Sequence, residues 1–325
     1  MHSSVASLGS ALFERNQSRP LAKARPLSLP RESSLESFRQ RNALLDWLFY
    51  DVKNVTVDEA KDMAPWLAAE GAVVMVPPSG AGPAVRCKSV EEFAARYGSV
   101  VRVMTVAGVG SSALGAVAFG RNVADALDQP VAAVVSGYGF ADVIAEGLGG
   151  FFLFGLLNSV RHNFEWLDRL RERGIIQDPA ASITASDGGT VENTVQTSKD
   201  TVTVEALLMD KKTNFSVLIG HSKGNLILSE ALFGLKRTAP QQLKKLSGSV
   251  QIVTVSAKVA MPVDFNGEQV IDIIGQLDGF GALNSRPDIP TDVRVPLAWH
   301  HTNTDLALHL PVTSTLRAMR TQINA

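Results

Sequence analysis

A serine stands in the tight turn Gly220-His221-Ser222-Lys223-Gly224. Before it runs an apolar stretch, Phe215-Ser216-Val217-Leu218-Ile219, and after it Ile227, Ala231 and Leu235 recur on one helical face. Strand, sharp turn and helix are the context in which Gly-x-Ser-x-Gly makes a nucleophile elbow. Such a turn holds the serine backbone in a strained conformation and lifts its hydroxyl clear of the sheet. The flanking positions must be small, because strand and helix pass close together there. The amide after the serine, that of Lys223, points to where an oxyanion would form. With 27 serines and 26 glycines among 325 residues, the bare pattern arises by composition in about one chain in six. The flanking elements therefore carry the inference.

Acyl transfer by a serine needs a base within hydrogen-bond reach and a carboxylate to orient that base. After the apolar run Val270-Ile271-Asp272-Ile273-Ile274 comes Gly275-Gln276-Leu277-Asp278-Gly279. Asp278 thus stands at the carboxyl end of an expected strand, where open parallel sheets build their sites. Its rivals are Asp272, inside the apolar run, and Asp288 and Asp292, in a proline-flanked loop. Past the last expected strand comes Ala298-Trp299-His300-His301-Thr302, and either histidine can be the base. His221, next to the nucleophile in sequence, is expected to pack beneath the turn, since neighbouring side chains there diverge.

The elements that must position these residues alternate. Strands are expected at 72–76, 100–106, 131–135, 215–219, 250–255, 270–274 and 293–297, and helices at 34–50, 57–70, 89–97, 113–127, after the elbow, and from about Thr304. Pro77 to Arg86 reads as a loop. Strand–helix–strand alternation signals a mostly parallel sheet flanked by helices. It breaks between Gly137 and Asn214. The apolar run Phe151–Leu157 and the polar stretch Ser182–Asp200 fall there, so residues 138–200 are expected to form an inserted helical cap or lid. Residues 1–34 read as a disordered tail and 35–325 as one domain.

The elbow, Asp278 after a late strand and the His300-His301 turn, in this order of strands, resemble the α/β-hydrolase superfamily in its lipase and esterase branch, over roughly residues 71–325. The resemblance implies Ser222 as nucleophile, Asp278 as acid and His300 or His301 as base, with His300 preferred because related turns often read small residue, any residue, then the histidine. It also implies an oxyanion loop after an early strand, here Gly108-Val109-Gly110-Ser111, with Val109 and Lys223 as amide donors. The implied activity is hydrolysis of a carboxylic ester with an apolar, lipid-like or polyester-like acyl group, without a cofactor. An acyltransferase using the same triad, and a non-catalytic binding member of the fold, are the alternatives.

Two other chemistries fit the residues less well. Gly108-Val109-Gly110-Ser111-Ser112-Ala113 approaches a dinucleotide fingerprint, but the strand at 131–135 is followed by Ser136 and Gly137 rather than an acid. His301, Asp305 and His309 would lie on one face of a helix beginning near His301. The outer two would then be about 12 Å apart, too far for one metal ion.

Composition bounds the rest. The net charge of −1 gives no sign of a nucleic-acid partner. One cysteine, Cys87, excludes an internal disulfide framework and fits a reducing compartment. The expected location is cytoplasmic, although Ser-, Arg- and Pro-rich residues 1–31, with Glu14 their one acid, overlap in composition with an organelle transit peptide. No stretch reaches the length and apolarity of a membrane span. Residues 147–157 are a candidate lipid-surface contact.

Overall fold

The computed structural model describes residues 45–63, 70–108, 111–136, 198–265 and 267–323. Eight strands form one sheet: β1 (Val73–Val76), β2 (Val85–Cys87), β3 (Val103–Val106), β4 (Val131–Val134), β5 (Val217–His221), β6 (Gln251–Val255), β7 (Val270–Gly275) and β8 (Val293–Val295). Their order is β2-β1-β4-β3-β5-β6-β7-β8. Every pairing from β4 to β8 is parallel, whereas β1 is antiparallel to both its neighbours. The chain therefore has an α/β fold with a mostly parallel sheet.

The central strands read as continuous apolar runs because both their faces are covered. Every residue of β3, β4, β5 and β6 is buried, the pattern of parallel strands between two helical layers. One layer holds α3 (Ala113–Leu127) and α8 (Val312–Ala318), which pack on each other. The opposite layer holds α2 (Val90–Tyr97), α4 (Lys199–Met209), α5 (Lys223–Thr238) and α6 (Pro240–Ser247). Two further short helices are α1 (Val57–Met63) and α7 (Gly279–Leu283).

Local chemistry explains several boundaries. Ser112 caps α3 by accepting the Leu114 N–H, and Asp128 ends it in the left-handed region at φ 57°. Ser89 caps α2 by accepting the Glu92 N–H, and the Glu92 carboxylate reaches back to the Lys88 amide.

Some expectations are corrected. The supposed loop from Pro77 to Arg86 contains most of β2, whose edge position leaves its alternation hard to read. The strand expected at 100–106 is confined to Val103–Val106, and α4 and α6 were not anticipated. The last helix starts at Val312, not near Thr304. Pro311 disfavours helix in the residue before it, and residues 302–304 spend their backbone on another segment. The Thr302 amide donates to the Phe49 carbonyl at 2.7 Å and the Thr304 amide to Asp51 Oδ1 at 2.6 Å. His301, Asp305 and His309 therefore share no helix face. The inserted region lies outside the described residues except for Ser198–Asp200, which open α4. So do residues 1–34 and the 147–157 run, and of the helix expected at 34–50 only 45–50 are described, with 45–49 helical.

Candidate active site

Ser222 follows the last residue of β5 and precedes the first residue of α5. Its backbone sits at φ 51° and ψ −118°, a conformation rare for a residue with a side chain. Two contacts hold it there: its amide donates to the Val255 carbonyl at 2.8 Å, and its carbonyl accepts the Asn225 amide at 3.0 Å. The two glycines of the turn are required by close approach. A Cβ on Gly220 would come within 2.3 Å of Asn225 Oδ1, and one on Gly224 within 2.0 Å of the Val106 carbonyl. Asn225 is buried beneath the turn and donates to the carbonyls of Val255 and Ala257.

The carboxyl ends of β7 and β8 bring two more side chains to this serine. Asp278 caps α7, its Oδ1 accepting the Gly281 amide at 2.6 Å. His300 follows β8 in a loop that is tied to Asp278's own loop, where the Leu277 amide donates to the Ala298 carbonyl. His300 Nδ1 stands 2.9 Å and 3.1 Å from the two Asp278 carboxylate oxygens. Its Nε2 stands 3.0 Å from Ser222 Oγ. The carboxylate side chain is 0% exposed and the imidazole 10%. Carboxylate, imidazole and hydroxyl thus form one hydrogen-bonded line. A carboxylate only accepts, so Nδ1 carries the proton and Nε2 is left to accept from the serine.

Of the two adjacent histidines, His300 is the one that faces both Asp278 and Ser222. His301 turns away and donates from Nε2 to the Ala307 carbonyl at 3.2 Å, and burial lowers its pKa. Among the rival acids, Asp272 lies mid-strand against Thr254 Oγ1, and Asp288 pairs with Arg286. Asp292 accepts the Asp272 amide at 2.8 Å. His309 donates to the Leu306 carbonyl. Val109 lies outside the described residues, whereas the Lys223 amide opens α5 directly after the serine.

His221 is buried beneath the turn, as its place in the motif implies, 1% exposed. Burial, and next the charge of His300, press its pKa down to about 3. Its Nδ1 faces the Tyr50 hydroxyl at 3.1 Å and its Nε2 the His300 carbonyl at 3.0 Å. Tyr50 went unnoticed in the sequence: it is one apolar-looking residue among several between Trp47 and Val52, and no motif marks it. Asp46 is likewise marked by no motif. This fully buried carboxylate accepts the Ser112 amide at 3.0 Å and bonds the Ser112 hydroxyl. Desolvation pushes its pKa up to about 7. Asp46 occupies the place at the N-terminus of α3 that a nucleotide phosphate would take. The glycine-rich loop before α3 is therefore poorly suited to a dinucleotide.

Among the described residues no three His, Cys, Asp or Glu side chains are grouped to hold a metal ion. No helix there is long and apolar enough to cross a membrane. Comparison with known proteins finds no family model, no curated protein and no solved structure that matches this chain.

Proposed function

We propose that this chain is a serine hydrolase of α/β-hydrolase type that cleaves carboxylic esters with an apolar acyl group. The observation that carries the reading is the line Asp278–His300–Ser222, with spacings of 2.9 Å and 3.0 Å. Ser222 Oγ attacks the ester carbonyl as His300 Nε2 takes its proton. Asp278 holds Nδ1–H and stabilises the imidazolium that forms. The tetrahedral oxyanion receives the Lys223 amide, with a second donor expected from the loop around Val109. His300 then protonates the leaving alcohol. A water, deprotonated by the same imidazole, releases the acid and restores Ser222. Apart from substrate and water, each step draws on groups of the protein itself.

The apolar acyl preference is supported by the side chains around the triad. Phe280 and Trp299 are 39% and 42% exposed, their rings lie 6.0 Å apart, and Phe280 stands 5.7 Å from the His300 ring. Leu277 and Leu283, just before and at the end of α7, and Leu297 and Leu308, in the loop after β8, are also exposed. The strained Ser222 backbone supports the nucleophile assignment, since strain of this sort persists only where the surroundings over-determine it.

A fluorophosphonate probe tests the assignment. Labelling of the wild type is expected to vanish in Ser222→Ala. In a short-chain ester assay His300→Ala is expected to lose roughly three decades of kcat, while His301→Ala stays within about tenfold of the wild type. A folded wild type that takes up no probe would sink the hydrolase reading.

A further inference from the structure

The buried contact behind the triad joins three parts of the chain far apart in sequence. Tyr50 lies ahead of the sheet, His221 ends β5, and Gly108 is the second residue of the loop after β3. The Gly108 amide donates to the Tyr50 hydroxyl oxygen at 2.7 Å. That hydroxyl faces His221 Nδ1 at 3.1 Å, and His221 Nε2 faces the carbonyl of His300 at 3.0 Å.

Proton accounting gives this chain a direction. The His300 carbonyl can only accept, so His221 Nε2 carries a hydrogen. The Gly108 amide can only donate, so the Tyr50 oxygen accepts there, and its O–H proton remains to donate to Nδ1. Nδ1 is then bare and the ring neutral, in agreement with the depression of its pKa by burial and by His300. The titratable groups that face the ring are Tyr50 on one side and His300, Asp278 and His301 on the other.

Packing holds the parts rigid. Tyr50 is fully buried, and its ring meets those of Phe119 at 6.1 Å and His221 at 5.5 Å. Phe119 in turn lies 5.7 Å from His221. The Asp278 carboxylate orients the His300 side chain. Among the described contacts on the His300 main chain, the bond from His221 fixes the backbone that carries the imidazole. The His221 and His300 rings are 5.2 Å apart, so a charged His221 would oppose the imidazolium His300 must form.

We propose that Tyr50 and His221 are positioning residues: a neutral hydrogen-bonded relay that ties the start of the loop after β3 to the main chain of the base and sets His300 Nε2 against Ser222 Oγ. This rests on the hydrolase reading above. Neither residue touches substrate. Both act through His300 and Gly108.

The test uses the full chain with Tyr50→Phe, His221→Leu and His221→Gln. Circular dichroism melts confirm that each variant folds. Phe keeps the ring packing and removes the hydroxyl. Leu removes both polar contacts. The Gln amide nitrogen sits near the place of Nε2 and can still donate to the His300 carbonyl. A displacement of the base by a fraction of an ångström to 1 Å costs up to about 10²-fold in rate. Accordingly, kcat for a short-chain ester is expected to fall ~10-fold in Tyr50→Phe and ~100-fold in His221→Leu, with KM within ~2-fold, and His221→Gln is expected to recover ~10-fold over Leu. A purely structural role would not give a kcat-only loss restored by Gln at equal folded fraction.

Proton–nitrogen correlation of the imidazole rings is a second, activity-independent readout. The His221 signals, identified as those missing in His221→Gln, are expected to show a neutral Nε2–H ring from pH 5 to pH 9. A ring that titrates there, or carries its proton on Nδ1, overturns the relay. So does wild-type kcat in folded Tyr50→Phe and His221→Leu. Absence of fluorophosphonate labelling in the wild type overturns the hydrolase reading instead, and the positioning role with it.

Discussion

Gly224→Ala tests whether the elbow depends on close approach. A Cβ at position 224 would lie 2.0 Å from the Val106 carbonyl oxygen, 2.7 Å from its carbon and 2.9 Å from the Ala107 oxygen. All three atoms are backbone, and Val106 ends β3, a fully buried strand of the sheet. No side chain can rotate aside. Side-chain Cβ atoms essentially never approach within 3.0 Å, so the first turn of α5 must retreat from β3 by about 1 Å (3.0 − 2.0). Overpacking of this kind costs roughly 1–3 kcal/mol, and each kcal/mol lowers Tm by about 2–4 °C in a domain of this size. The same retreat carries the Lys223 amide and Ser222 with it. An ångström at the reacting atoms costs about 10²-fold in rate. Gly224→Ala is therefore expected to lower Tm by roughly 2–12 °C and kcat by about two decades. Gly267→Ala, where an added Cβ meets nothing within 4 Å, serves as control and is expected to stay within about 0.5 kcal/mol. Calorimetry and an ester assay read both effects. A Gly224→Ala protein with the melting temperature and kcat of the wild type would refute the close-approach reasoning.

Asp278→Asn keeps the shape of the carboxylate but removes the charge facing the imidazolium, and it sets an amide N–H among donors. Ester turnover is expected to fall by roughly 10³–10⁴, while Asp272→Asn, whose carboxyl lies against Thr254, leaves kcat within about threefold. A larger loss in Asp272→Asn would reassign the acid. The pH dependence of stability offers a measurement independent of activity. Burial raises the Asp272 carboxyl from 3.8 to about 6, and the neighbouring Asp292 charge adds to the rise. The native state therefore holds this proton more tightly than the unfolded chain between about pH 4 and pH 6. The contribution of Asp272 is fully present below that window and is lost as pH rises through it. Relative to the wild type, Asp272→Asn is expected to gain roughly 3 kcal/mol between pH 4 and pH 7, read by urea unfolding at each pH. A difference that does not change with pH would refute it.

Legibility in the sequence divides along physical lines. Features that depend on the local chain were readable. The runs of β3 to β6 are buried on both faces and β7 is buried over its last four residues, so their hydrophobicity is nearly continuous and marks them without further context. The Ser112 cap and the end of α3 at Leu127 follow from short-range chemistry. Edge and irregular elements were less readable. β2 is three residues paired on one side only, and the 301–310 loop is held by bonds to residues 49–51, a segment some 250 positions away that no window spans.

The same division runs through the site. Sequence by itself determined the elbow, because Gly-x-Ser-x-Gly between a strand and a helix states a backbone geometry in residue types. It also placed Asp278 and a pair of histidines after the strands whose carboxyl ends converge. The turn pattern favoured His300 over His301, and only tertiary structure showed which ring faces both Asp278 and Ser222. Adjacent side chains point in different directions, and the direction of each is set by partners distant in the chain: Asp278 and Ser222 for one, Ala307 for the other. Only tertiary structure, likewise, brought Tyr50 and Asp46 into contact with the loop before α3. A hydrogen bond between residues 58 or 66 positions apart leaves no periodicity or spacing in the sequence. It exists once the sheet has closed around it and excluded the water that would otherwise satisfy both groups.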